Sequence, residues 1–247
     1  MGIDFWLIAI LAVVLIGFSK AGFGGGPGVL ATPILAAVCG PTKAIAIMLP
    51  IMIFCDLCCV FIFRKGRVWK KVFNLLGGFF VGLLIATFFL KELPGQEVWL
   101  KKAIGSLAIV FGASYFFLFK DNRIEKYVPQ KTWFGLALGV LAGIVSTLAH
   151  AAGPLTTMYF LSQGQRKENF MGSIVVYAFI GNCLKLPSYF FSGILTRETL
   201  SFSLPLLLAA VFGIGLGWYL NRRLSDMKFK GAVNGILVAI GLYLVAF

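Results

Sequence analysis

Gly17-Phe18-Ser19-Lys20-Ala21-Gly22-Phe23-Gly24-Gly25-Gly26-Pro27-Gly28 decides the reading of this chain, together with Ile144-Val145-Ser146-Thr147-Leu148-Ala149-His150-Ala151-Ala152-Gly153-Pro154-Leu155. Each stretch breaks an apolar run with a Gly-Pro corner. Setting Gly26-Pro27 on Gly153-Pro154 also sets Ser19 on Ser146. Paired, interrupted helices at matching places in two halves are the usual mark of a transporter's binding site.

Working outward, the rest of the chain is membrane sequence. Of its 247 residues, 60% are hydrophobic and 13% charged, about half the charged share of soluble domains. Charged stretches of about ten residues leave no room for a sizeable soluble domain. The net charge of +13 comes from short basic loops such as Arg64-Lys65-Gly66-Arg67-Val68-Trp69-Lys70-Lys71. Such loops follow the positive-inside bias and do not form a nucleic-acid surface. The opening Met1-Gly2-Ile3-Asp4-Phe5 lacks the basic segment of a cleaved leader. Cys39, Cys55, Cys58, Cys59 and Cys183 all fall in apolar segments. They read as small buried hydrophobes, and no metal or cofactor is expected.

Apolar runs cover about 3–18, 27–39, 44–63, 72–90, 103–119, 132–149, 153–162, 170–192, 200–220 and 231–247. A spanning helix needs about 20 residues. Six runs approach that length. The four shorter ones, 3–18, 27–39, 132–149 and 153–162, flank the corners and read as arms of re-entrant hairpins. Two topologies compete. If each corner merely kinks one span, basic loop residues divide ten against ten. If each corner reverses the chain, one side collects fifteen, from loops 64–71, 120–131, 166–167 and 222–230. The other side keeps five: Lys43, Lys91, Lys101, Lys102 and Arg197. The second division satisfies the positive-inside rule. The expected fold is therefore all-α and polytopic, with two inverted repeats of five hydrophobic segments, each beginning with a glycine-broken hairpin. Residues 1–119 form the first repeat, 120–131 a basic cytoplasmic linker, and 132–247 the second repeat. Both termini lie outside the cytoplasm of a cell (inner) membrane. Asp56 falls on Asn182, and Gly82 near Gly215, in the successive helices.

A non-helical corner in lipid must line a cavity or be covered by protein, because unpaired backbone groups are costly there. Pro27 and Pro154 suit the first turn of the helix that follows each corner. The remaining free N–H groups and the helix dipole attract an anion. Gly24, Gly25 and Gly26 let the backbone approach a ligand, and Ser19, Ser146 and Thr147 offer hydroxyl donors. With the hairpins entering from opposite faces, their tips can meet near the midplane around one small anion. The competing reading is that these glycines only allow tight helix packing.

Charges within the bilayer need a reason. Asp56 is the one carboxylate deep in an apolar run. Lys185 follows Asn182 by three residues on one helix face. Lys185 either complements a bound anion or pairs with Asp56, and both readings stay open. Lys20 sits at the first tip or snorkels to the interface. His150, the only histidine, is either structural or a carrier of a coupled proton, as Asp56 is too.

The corners resemble those of the TauE/SafE family of membrane exporters, through Gly22-Phe23-Gly24-Gly25-Gly26-Pro27 with Pro33, and Ala149-His150-Ala151-Ala152-Gly153-Pro154-Leu155. The resemblance extends over nearly the whole chain in length, halves and motif placement. It implies export of sulfite or a small organosulfonate, with Gly24, Gly25, Gly26 and Gly153 as binding elements. The second corner has Ala151 and Ala152 where the first has glycines, so the halves are not expected to contact substrate equivalently.

The expected function is secondary export of a sulfur oxyanion by alternating access, with a possible coupled proton. A carrier of another small anion, such as a carboxylate, is the alternative. An intramembrane serine hydrolase using Ser146 and His150 is more remote, because the chain has neither a Gly-x-Ser-x-Gly elbow nor His-Glu-x-x-His. A channel would show rings of repeated charge, which are absent. The expected partners are the anionic solute and the lipid bilayer.

Overall fold

The computed structural model describes residues 2–91, 129, 131–225 and 228. Among them the chain is all helical, without a strand. Helix α1 (Ile3–Phe23) leads through a 3-10 turn (Gly26–Leu30) into the short α2 (Ala31–Cys39). Then come α3 (Pro41–Ile62) and α4 (Trp69–Lys91). The second half repeats the order long, short, long, long: α5 (Thr132–Ala149), α6 (Gly153–Ser162), α7 (Lys167–Phe191) and α8 (Arg197–Arg223). Six of these helices are long and apolar enough to cross a membrane, all except α2 and α6. The expected fifth segments, 103–119 and 231–247, and all of the linker 120–131 except residues 129 and 131 lie outside the described residues.

The arms differ from the sequence reading in one respect. Run 3–18 was expected to be short, yet α1 has 21 residues, while run 132–149 coincides with the 18 residues of α5, so each hairpin pairs a long helix with a short returning arm. Hydropathy alone ends the first run at Phe18, just before Ser19 and Lys20. The helix continues because Lys20 is buried against Asp56 of α3, which removes the cost of its charge. The short arms, at about 1.5 Å per residue, cannot cross the roughly 30 Å hydrocarbon layer.

The packing is built from glycine seams. On α4 against α5, a Cβ at Gly78 would lie 2.0 Å from the Leu136 carbonyl, and one at Gly82 2.0 Å from that of Val140. From the other side, Gly139 and Gly143 press on the backbone of Leu75 and Phe79. The seam of α1 against α8 has the same character: Gly17 meets Ala210, Gly213 meets Val14, and Gly217 meets Phe18 and Gly22. Close backbone approach replaces hydrophobic drive, which lipid does not supply between helices. Exchanging the halves maps α1·α8 onto α5·α4, and α3·α8 onto α7·α4, while α3·α7 maps onto itself. All of these are principal contacts. Gly82 thus finds its packing counterparts in Gly213 and Gly217. Gly215, its expected match, has open space at its Cβ position. Overpacking typically costs 1–3 kcal/mol, and a backbone clash leaves little room to relax. Gly82→Val should therefore lower the thermal unfolding midpoint in detergent clearly, whereas Gly215→Ala should leave it unchanged.

Pro50 interrupts α3 and has no N–H for the carbonyl one turn back. The carbonyls on either side of that gap are served by other helices. Ile45 bonds the His150 ring at 2.9 Å, and Ile47 accepts from the Ser203 hydroxyl at 2.8 Å. The helix around Pro50 is thereby tied to the second corner and to α8, which fixes α3 relative to the site.

Candidate anion site between two helix corners

The first corner is a left-handed helix stop. Gly24 and Gly25 have φ of 76° and 110°, a region that favours glycine. Their N–H groups bond back to Lys20 O at 3.2 Å and Ser19 O at 3.0 Å, as in a Schellman ending. A Cβ at Gly25 would meet nothing within 4 Å, because open space lies in front of it. The turn is then closed by the Gly28 N–H, which donates to Ser19 Oγ at 2.6 Å.

The second corner is built the same way with a different residue. His150, at φ 53°, is the one non-glycine residue with positive φ among those described. Its N–H reaches Ser146 O at 3.0 Å. Helix α6 then starts at Gly153 with Pro154 in its first turn and no side-chain cap. The N–H groups of its first turn are therefore left to whatever occupies the space before them.

That space is shared. A cavity of about 50 Å³ is bounded by Gly24, Gly25 and Gly28 of the first corner and by His150, Ala152 and Gly153 of the second. Lys20, Ser146 and Asn182 contribute polar atoms to its wall, and Ile16, Met52, Phe79 and Ile174 complete it.

Two buried polar clusters support this wall. In the first, Lys20 forms an ion pair with Asp56, and Asn182 Nδ2 donates to the other carboxylate oxygen at 2.6 Å. In the second, Lys185 Nζ, fully buried, donates to Ser146 O at 3.2 Å, Ser146 Oγ at 3.0 Å and His150 Nδ1 at 2.8 Å. Three acceptors match the three hydrogens of an ammonium. The Ile45 carbonyl can only accept, so His150 carries its hydrogen on Nε2 and takes the Lys185 bond at Nδ1. This tautomer follows from the bonding network. The Tyr189 hydroxyl donates to Thr147 O at 2.6 Å and closes the end of α5.

Counted together, the two clusters hold two lysine side chains and one carboxylate. Among the described residues, Lys185 stands buried behind the cavity wall without a carboxylate partner. The Asp56–Lys185 pair that the sequence left open is not formed, since Asp56 is taken by Lys20 and Asn182. Lys20 does not snorkel, because its side chain is 7% exposed and points to Asp56.

Of the residues singled out in the sequence, Gly24, Gly25, Ser146, His150, Gly153 and Asn182 meet at the cavity. Ser19 and Thr147 have their hydroxyls turned to backbone, accepting from Gly28 N–H and donating to Gly143 O respectively. Lys185 and Asp56 stand behind the wall, holding the residues that form it. Gly26 opens the 3-10 turn, and its relation to the cavity lies outside what is described. Tyr177 was missed. It lines the cavity, it is buried, and its hydroxyl has no partner among the described residues. Ile174, Tyr177, Ala178, Gly181 and Asn182 repeat at helical spacing on the cavity face of α7. Gly181 shares this face with Asn182, and one step of four residues back from it reaches Tyr177.

The family model for "Sulfite exporter TauE/SafE" matches residues 9–244, nearly the whole chain. The chain belongs to this family. TauE/SafE proteins are membrane transporters and not enzymes, and this chain, with six long apolar helices among its described residues, is a multi-pass membrane protein. Searches of curated proteins and of solved structures returned no match. The TauE/SafE match covers both corners and every wall residue of the cavity.

Proposed function

We propose that this TauE/SafE protein is a secondary exporter of a small sulfur oxyanion, sulfite or a compact organosulfonate, bound between the two corners. One observation supports this most: a buried lysine, Lys185, without a carboxylate partner among the described residues, behind the wall of a cavity onto which two helix corners open. In this reading it carries a proton. An uncompensated charge in the membrane interior is costly, and a bound oxyanion offsets it. The uncapped start of α6 adds amide donors suited to oxygen acceptors, and the open space at Gly25 lets an anion approach the backbone. A cavity of this size favours a compact oxyanion over a bulky organic acid.

In the same reading the two halves are inverted repeats with both termini outside the cytoplasm. The exchange of seams between halves supports the repeat, and the fifteen-to-five division of basic loop residues supports the inversion. Alternating access then consists of the hairpins exchanging exposure around a fixed site. Proton coupling runs through His150. A second proton on its ring would face the Lys185 ammonium and break that bond, which loosens Ser146 and the cavity wall at once. Proteoliposomes loaded with sulfite test the whole reading. Efflux should exceed that of empty vesicles, respond to an imposed pH gradient, and be competed by sulfite far better than by acetate. Efflux equal to that of empty vesicles would reject it.

Tyr177 enters the same reading as a hydrogen-bond donor to the anion. Tyr177→Phe removes the oxygen and leaves the ring contacts with Phe79 and Phe160. A typical hydrogen bond contributes about 1 kcal/mol, so affinity should fall by roughly fivefold with unchanged thermal stability. Titration of sulfite into the purified variant measures it.

A further inference from the structure

A second, larger cavity of about 500 Å³ lies where the end of α3, the start of α7 and the end of α8 converge. Arg64, Lys65, Lys167 and Arg222 surround it against one acid, Glu168. Lys167 Nζ is committed to the last carbonyls of α8, bonding Asn221 O and Leu224 O. The Arg222 guanidinium lies over the Trp218 ring at 4.9 Å. Arg64 and Lys65 are exposed at its rim. The rest of the lining is Asn221 and the apolar Ile62, Phe63, Met171 and Trp218. This cavity is separate from the one between the corners. Lys167 and Asn182 are fifteen residues apart on α7, or about 22 Å at the helical rise.

We propose that this cavity binds the head group of an anionic phospholipid. Its phosphate meets Arg64, Lys65 and Arg222, and an acyl chain runs along Ile62 and Trp218. Two features favour a lipid over a free anion. The excess of cations shares the lining with Ile62, Phe63, Met171 and Trp218, an amphipathic combination that a soluble anion does not use. The neighbouring surface, with Phe61 71% and Tyr219 57% exposed, is an apolar face that continues the cavity wall outward. Basic pockets at helix ends recognise lipid phosphates in this manner, and Trp and Tyr mark the interfacial depth.

Native mass spectrometry on the full chain in neutral detergent tests this, with phosphatidylglycerol, phosphatidylcholine and inorganic phosphate as probes. Phosphatidylglycerol should be retained about a hundredfold more tightly than phosphatidylcholine, at the strength of three basic contacts. The variant Arg64→Gln/Lys65→Gln/Arg222→Gln should lose that preference and keep sulfite binding. If this triple variant does not fold, Arg64→Gln and Lys65→Gln, both exposed, should each reduce the preference singly. Equal retention of the two lipids, a preference unaltered by the substitutions, or full displacement of phosphatidylglycerol by equimolar inorganic phosphate would each overturn the proposal. The last outcome would assign the cavity to a soluble anion.

Discussion

Lys185→Met is expected to weaken sulfite binding by about a hundredfold and to abolish measurable export, while the protein still folds. The stem of methionine fills the space of the lysine chain, and what is lost is the ammonium. Without it, the two buried clusters reduce to the neutralised Lys20–Asp56 pair, and nothing remains for an anion to balance. Truncating one member of a buried charged interaction typically costs 2–5 kcal/mol, and a hundredfold loss corresponds to about 2.8 kcal/mol. Ser146 and His150 lose their shared donor in the same step, so the wall also loosens. Sulfite titration and efflux assays measure the effect. An affinity within twofold of the parent would show that the buried charge does not hold the substrate.

Lys20→Met is expected to act on folding instead. Asp56 is 1% exposed, and removing Lys20 leaves its carboxylate with Asn182 alone. Breaking a buried ion pair from one side costs about 3–5 kcal/mol. The variant should therefore express poorly or unfold far below the parent. The double variant Lys20→Met/Asp56→Asn should recover most of that loss, because it removes both charges together and leaves amide groups that can bond each other. Thermal unfolding of the purified proteins in one detergent compares the three. A single variant as stable as the parent would mean that Asp56 is not held as a carboxylate by Lys20.

The sequence made the corners legible for a physical reason. Glycine and proline inside apolar runs have few uses in lipid, so Gly24-Gly25-Gly26-Pro27 and Gly153-Pro154 stood out without any structure. The length of α1 was not legible, because Lys20 looks like a helix end until its partner on α3 is known. Charge pairing was equally hidden. Asp56 and Lys185 were visible as costly residues, but which cation meets the carboxylate depends on how α1, α3 and α7 pack. Lys20 wins by geometry, and Lys185 is left to a serine and a histidine. Ser19 and Ser146 align in sequence and do different work: one hydroxyl closes the first turn onto Gly28, the other accepts from Lys185 at the wall. The substitution of His150 for a glycine at the second corner accounts for part of that difference, since it brings a ring nitrogen to the place where the first corner has only backbone. Tyr177 escaped because tyrosine on an apolar helix face reads as core, and only the missing partner of its hydroxyl distinguishes it.

The most direct measurement uses selenite as a heavy counterpart of sulfite. Crystals of the protein grown with selenite would locate the anion by the anomalous scattering of selenium. The account predicts a peak in the cavity between Gly25 and Gly153, within hydrogen-bond reach of Ser146, Asn182 or Tyr177, that weakens when sulfite is added in excess. A sulfite-displaceable peak found only elsewhere, with this cavity holding none, would contradict it.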